Sequence, residues 1–342
     1  MKWVSASADY RRKSALTREI LFGMKLDLID YEHGISAIDS GFVRPRLDAI
    51  HMMVHNGRAA LIDTGTSHSI PYVLEALKAK GLGLEHVDFV ILTHIHLDHA
   101  GGASQMMKLF PNAKLTVHPR GARHMADPSK LWQATVDVYG LEKALRNYGE
   151  IIAIPKDRII ETPDGFKLDF AGRELQFFDT PGHARHHVCI RDSLSGHFFV
   201  GDCFGLAYTE LETDGRRFSF PTSSPSQFEP HLLHQTIDLV VGHQPEAIYL
   251  THYAQVRDVP RIAADVHRLI DGHVEMAKAV QAGGARGAER HEKLKAGVRQ
   301  LIADEAKRQQ WKLSPQDLLD VFSVDDELNA QGLAIWLDAQ EA

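Results

Sequence analysis

The sequence predicts an α/β domain followed by a helical C-terminal section. Three observations carry this. Short apolar runs of strand length interleave with helix-period segments between Met24 and Tyr253; an Asn56-Gly57 pair joins two of those runs; and from Asp258 onward the apolar positions recur at helical spacing throughout. A chain of 342 residues is long for one compact core, so one large domain with an appendage is the expectation.

Residues 1–23 include Arg11, Arg12, Lys13 and Arg18 and read as a tail preceding the domain. Strands are expected at 25–31, 37–43, 49–55 and 59–63. Asn56-Gly57 between the last two supplies the positive φ angles of a tight hairpin turn. Ser69 caps the next helix, Pro71 sits in its first turn, Ile70, Val73, Leu74 and Leu77 form its apolar stripe, and Gly81 stops it. A buried strand at 88–93, a helix reaching Phe110 and a strand at 114–118 follow. Residues 122–148 are helical in pattern and carry Trp132 and Tyr139. Strands return near Ile159, with hairpins 166–170/174–178 (turning at Gly172) and 187–192/197–201; residues 247–251 form the last clear strand. Beyond Asp258, Leu294, Val298, Leu301 and Ile302 mark one helix, Ser314-Pro315 opens another, and Ser323 with Asp326 opens the last. The expected organisation is a tail (1–23), a domain at 24–257 with helical inserts near 122–148 and 204–243, and a helical section at 258–342.

Composition narrows the function classes. A net charge of -7 argues against nucleic acid as the main partner, because a phosphate-binding surface needs excess Lys and Arg. No run approaches about 20 apolar residues, so no membrane span is expected. Residues 1–23 lack the continuous apolar core of a secretion signal, and a cytoplasmic location is the default expectation. The two cysteines, Cys189 and Cys203, are too few for a disulfide scaffold and lie in apolar stretches, as buried free thiols do.

Histidine is the anomaly: there are 21, several in tight groups. The central group is Thr93-His94-Ile95-His96-Leu97-Asp98-His99-Ala100-Gly101-Gly102, directly after an apolar strand. In extended chain His94 and His96 project to the same side, so two imidazoles reach one metal. Asp98 and His99 sit where the next helix begins, and the turn redirects them toward a second metal. Imidazole and carboxylate without thiolate suit zinc or a similar borderline ion.

This His-x-His-x-Asp-His motif resembles that of the metallo-β-lactamase superfamily, and further segments appear in that family's order: Ile62-Asp63-Thr64-Gly65 upstream, then Thr180-Pro181-Gly182-His183, Val200-Gly201-Asp202 and Leu250-Thr251-His252. The match spans about residues 25–253. The resemblance implies an αββα sandwich with a helical C-terminal extension. It also implies a ligand set: His94, His96 and His183 for a first metal, Asp98, His99 and His252 for a second, Asp202 bridging both, and Asp63 orienting the metal-holding loop. Position 96 is His, where the family's diiron oxygen-reducing branch has Glu, so redox chemistry is disfavoured. Position 202 is Asp, where the commonest zinc β-lactamases have Cys. Cys203 is one residue along and points to the other face, so lactam antibiotics are disfavoured as substrates.

The implied chemistry is hydrolysis by a water shared between two divalent ions, zinc first with iron or manganese as options, with Asp98 or Asp202 passing a proton to the leaving group. The Pro181-Gly182-His183-Ala184 segment with a helical C-terminal section looks like that of glyoxalase II and its relatives, which puts a small-molecule thioester first among substrates. Lactones of the acyl-homoserine type, phosphodiesters and a non-catalytic regulatory role are the alternatives. Phe204, Tyr208, Tyr253 and His187 are candidate substrate contacts, and Arg257, Arg261 and Arg268 are candidates for a carboxylate-binding role. A homodimer is the default oligomer.

Overall fold

A computed structural model describes residues 25–223 and 227–341; the proposed tail at 1–23 lies outside them. The chain folds as an αββα sandwich with a helical C-terminal region. The first sheet takes its strands in chain order: β1 (Leu28–Asp30), β2 (Ile35–Asp39), β3 (Ala49–His55), β4 (Arg58–Ile62), β5 (Val87–Ile91), β6 (Lys114–Val117) and β7 (Ile159–Glu161). Pairing is antiparallel up to β4 and parallel from β4 to β7. The second sheet holds β8 (Lys167–Phe170), β9 (Arg173–Asp179), β10 (Val188–Asp192), β11 (Phe198–Gly201), β12 (Ala247–Leu250) and β13 (Ala254–Arg257), antiparallel except for the parallel β11–β12 pair.

Period-two patterning builds the central layer. In β9, Leu175 and Phe177 point inward while Glu174 stays exposed. They meet Met53, Ala60, Ile62 and Ile91 of the first sheet, with Ile190, Phe199 and Tyr249 completing the interface. β4 is buried on both faces. Its alternate residues Ala59 and Leu61 face outward against α1 (Ile70–Ala79), through Val73, Ala76 and Leu77. Beyond α1 come α2 (Leu97–Ala100), α3 (Ala103–Leu109), α4 (Pro119–Ala126), α5 (Ser129–Tyr139) and α6 (Leu141–Tyr148). The outer face of the second sheet is covered by α7 (Pro230–Gly242) and by the C-terminal helices α8 (Val259–Ala282), α9 (Gly287–Gln309), α10 (Pro315–Val321) and α11 (Asp325–Glu341). Among the described residues, no helix is long and apolar enough to cross a membrane.

Four elements differ from the sequence expectation. The strand expected at 37–43 stops at Asp39, because Val43 and Arg46 turn through the left-handed region (φ 57° and 53°) and the chain loops out to Asp48. The helical run 122–148 is three helices, interrupted at Pro128 and Gly140. The stretch 204–223, expected to be helical, holds only a 3-10 turn at Thr209–Leu211 and folds back on itself through a Leu206–Phe220 bridge; the helix of that insert begins at Pro230. After the expected last strand, β13 adds an edge strand.

Candidate metal centre

Loops at the C-terminal ends of strands from both sheets converge on one point. His94 follows β5, and His96 caps α2, whose first turn carries Asp98 and His99. His183 lies in the β9–β10 loop, Asp202 directly follows β11, and His252 follows β12. Two of these corners depend on glycine. Gly182 has a φ of 133°, and a Cβ there would meet the Leu233 backbone nitrogen at 2.5 Å. Gly201 has a φ of 48°, and a Cβ there would meet His187 Nε2 at 2.6 Å and Thr93 Oγ1 at 2.8 Å.

The result is three overlapping groups of ligand-type atoms: His94, His96 and His183; His94, His99 and Asp202; and Asp98, His99 and His252. In the first, His96 Nδ1 lies 2.9 Å from His94 Nε2 and 3.1 Å from His183 Nε2. In the last, Asp98 Oδ2 lies 3.5 Å from His99 Nε2 and 3.7 Å from His252 Nε2. Asp202 Oδ2 stands between them, 3.5 Å from His183 Nε2, 3.4 Å from His99 Nε2 and 3.5 Å from His252 Nε2. Ligand bonds near 2.0–2.1 Å in tetrahedral array place ligand atoms roughly 3.3–3.4 Å apart, and these spacings straddle that value. His99 Nε2 and Asp202 Oδ1 are buried with no hydrogen-bond partner. Orphaned atoms of that kind are costly unless a cation takes them, so the residues present fit a pair of metal ions.

The profile of the metallo-beta-lactamase superfamily matches residues 47–253. This chain belongs to that superfamily. Over 280 residues it is 23% identical to the metallo-beta-lactamase fold-containing protein ST1585 of Sulfurisphaera tokodaii, covering 78% of this chain and 96% of that protein. It is 26% identical over 153 residues to the hydroxyacylglutathione hydrolase of Aeromonas salmonicida, a match to 45% of each chain. Among solved structures it resembles metallo-beta-lactamase family protein TTHA1429 from Thermus thermophilus at a TM-score of 0.62, with 18% identity and 90% and 94% of the two chains covered. That likeness speaks for the fold.

Around the centre of this superfamily member, buried polar groups orient the imidazoles. Asp63 is fully buried at the end of β4. It accepts from Thr93 N (2.8 Å) and Thr251 Oγ1 (2.9 Å), and its Oδ2 lies 2.8 Å from His99 Nδ1. Asp48 is the charge partner of His252: its Oδ1 is 2.7 Å from His252 Nδ1, whose hydrogen bond goes to Leu47 O at 3.2 Å. Sequence reasoning did not find Asp48, a lone carboxylate in a loop with no motif around it. His187, a candidate substrate contact on sequence grounds, is wholly buried. Its Nδ1 pairs with Thr180 Oγ1 at 2.9 Å, and its Nε2 accepts from Asp202 N at 3.3 Å, so it props the Asp202 corner.

Charge is distributed unevenly around the centre. Burial holds His94 and His183 well below the ordinary imidazole range, in the neutral form that ligates. Burial opposes the charge of His99 and His252 too, but Asp202 overrides it, with Asp98 and Asp63 acting on His99 and Asp48 on His252. Both are raised well above the usual value. For Asp202, burial is outweighed by His99, His252 and His183, which keep it ionised. The carboxylates thus draw positive charge to the His99 and His252 positions, the charge that a divalent ion would supply.

The remaining candidates sit elsewhere. Phe204 is packed in the core beside the C-terminal helices, and Tyr253 is sealed among Ala37, Ala49 and Ala254. Tyr208 is buried under the Arg44 guanidinium, its hydroxyl donating to Asp325 of α11 at 3.2 Å. In this conformation these side chains belong to the core. Arg257, Arg261 and Arg268 are taken up by ion pairs with Glu32, with Asp258 and with Glu305. The Cys189 and Cys203 thiols are buried among the core residues with their sulfurs 3.4 Å apart.

Proposed function

We propose that this protein is a dinuclear metal-dependent hydrolase acting on a small-molecule ester-type bond, a thioester first. The observation that carries the reading is the position of Asp202 Oδ2, one buried carboxylate oxygen within 3.5 Å of His183 on one side and of both His99 and His252 on the other. His94, His96 and His183 would hold one divalent ion, Asp98, His99 and His252 the other, with Asp202 shared. Zinc suits this nitrogen and oxygen donor set. Two such ions supply a water acidified toward neutral pH and a positive charge to receive the developing oxyanion.

The chain's own groups do the rest. Asp63 and Asp48 fix the tautomers of His99 and His252, leaving each Nε2 lone pair directed inward. Asp98, with 28% of its side chain exposed, or the buried Asp202 can take the proton released by the attacking water and pass it to the leaving group. The similarity to a hydroxyacylglutathione hydrolase over 153 residues is what favours a thioester.

The test pairs elemental analysis with side-by-side turnover of S-lactoylglutathione, a short acyl-CoA and an acyl-homoserine lactone. Two metal equivalents per chain, thioester turnover above lactone turnover, and loss of both in His96→Ala/Asp98→Ala are expected. Fewer than two equivalents after loading, with no turnover of any ester, overturns the proposal; lactone turnover alone replaces the thioester by a cyclic ester.

A further inference from the structure

The insert formed by α5 and α6 ends beside the centre, and it brings aromatic rings with it. Tyr148 is the last residue of α6. The next residue, Gly149, packs so closely on Ser67 that a Cβ would meet Ser67 Cβ at 2.7 Å. Ser67 Oγ in turn donates to Gly101 O (3.2 Å), at the end of the α2 turn that carries Asp98 and His99, and to Glu150 O (3.0 Å). His68 Nε2 adds a contact to Leu145 O at 3.3 Å. The end of α6 is therefore pinned to the Asp98 turn.

From the other side comes the loop that follows β2, where sequence patterning predicts a longer strand. Its Phe42 ring stacks on Tyr148 with centroids 5.8 Å apart and planes at 30°. The same loop supplies Leu47 O and Asp48, the partners of His252. Tyr139 of α5 meets Tyr148 with centroids 6.0 Å apart and planes at 57°. All three rings are only partly buried, and they flank the turn at which Asp98 keeps its side chain partly open.

We infer that Phe42, Tyr139 and Tyr148 form a subsite for the substrate's acyl portion, and that this subsite takes a flat aromatic acyl group. The inference rests on the hydrolase reading for the word acyl, and on the three rings alone for the word aromatic. An array of stacked and tilted rings offers faces and edges to another ring at the separations aromatic pairs favour, and it covers apolar surface besides. No cation is needed to seat such a group.

The experiment uses metal-loaded full-length protein and the carboxylates that hydrolysis would release. Titration calorimetry with phenylacetate, cyclohexylacetate and acetate is expected to show phenylacetate binding about tenfold tighter than acetate and several-fold tighter than cyclohexylacetate. Tyr148→Leu and Phe42→Leu should each shrink the phenylacetate-to-acetate ratio, and Tyr148→Phe, which keeps the ring, should preserve it. Leu141→Ser, at a 56% exposed position of the same insert, should also leave the ratio unchanged. An unchanged ratio in both leucine variants, or equal binding of phenylacetate and cyclohexylacetate, overturns the inference. Turnover of phenylacetyl and acetyl thioesters is measured alongside. If neither thioester is hydrolysed while the binding ratio behaves as stated, the thioesterase reading fails and the subsite stands; hydrolysis without a ratio does the reverse.

Discussion

Two buried carboxylates, Asp63 and Asp48, do for His99 and His252 what the metals cannot do for themselves: each fixes an imidazole by its Nδ1 so that Nε2 points inward. They differ in how they are supported. Asp63 accepts hydrogen bonds from Thr93 and Thr251, whereas Asp48 has His252 as its charged partner, and burial pushes its carboxyl up to about 6. Replacing Asp48 with Asn keeps the shape and removes the charge that makes His252 a stronger donor. The expected outcome is a metal affinity at the Asp98–His99–His252 position lowered by about 10–100-fold, read by chelator competition, with the first equivalent still held tightly. An affinity for the second equivalent unchanged from the parent would refute the role given to Asp48. The contrast also explains what was legible at this scale. Of the seven side chains that converge, His94, His96, Asp98 and His99 were recognisable by their short spacing after a strand, and His183, Asp202 and His252 by short segments in the order of the family they resemble. Asp48 carries no spacing signal, since its partner lies 204 positions away in sequence and is found only by folding. Phe204, Tyr208 and Tyr253 show the opposite case: an aromatic residue near a motif in sequence packs into the core as readily as into a cleft.

Between elements, the clearest polar tie is the Arg173–Asp192 pair joining β9 to β10. Nε and a terminal nitrogen of Arg173 each donate to a different Asp192 oxygen at 2.6 Å, both side chains are wholly buried, and Arg173 also donates to His33 O at 2.7 Å, in the turn preceding β2 of the other sheet. Asp192→Asn leaves a guanidinium without its counter-charge in the interior, which costs about 3–5 kcal/mol. Burial opposes the Asp192 charge, but Arg173 and Ser195 outweigh it, so its folded pKa lies below the ordinary carboxylate value. A depressed acid stabilises the fold in full above the unfolded value of about 3.9, and the contribution fades as pH falls through the folded value. Urea unfolding of parent and variant should therefore differ at pH 7 and converge below about pH 4; a difference that stays constant into acid would contradict the ion-pair account. Element identity was well signalled where patterning was strict, as in β3, β4 and the Asn56-Gly57 turn between them. It failed where single backbone dihedrals decide, at Val43 and Arg46 beyond β2, and where an apolar stretch packs without periodic structure, as in 204–223.

At the scale of the whole molecule, the unbroken helical patterning from Asp258 onward invites the view of a catalytic domain ending there with a separate helical appendage. The packing argues otherwise. Phe198 and Val200 of β11 and Ile248 and Leu250 of β12 turn one face outward, and that face is covered by the core that includes Ile262, Val266, Leu269 and Ile270 of α8. Further out, α11 reaches back through Asp325 to the Tyr208 hydroxyl, closing the loop at 204–223 that follows Asp202. Uncovering about ten fully buried aliphatic or aromatic side chains, at roughly 1.5–3 kcal/mol each, exceeds the 5–15 kcal/mol by which a domain is usually stable. A chain cut after Arg257 is therefore expected to lose cooperative thermal unfolding and to expose enough apolar surface to bind a hydrophobic dye, and to hold neither metal equivalent, because Asp202 and His252 both leave from the strands that α8 covers. A soluble monomer of residues 24–257 that melts in one sharp transition with two bound metals would show instead that the C-terminal helices are an appendage in fact and not only in sequence.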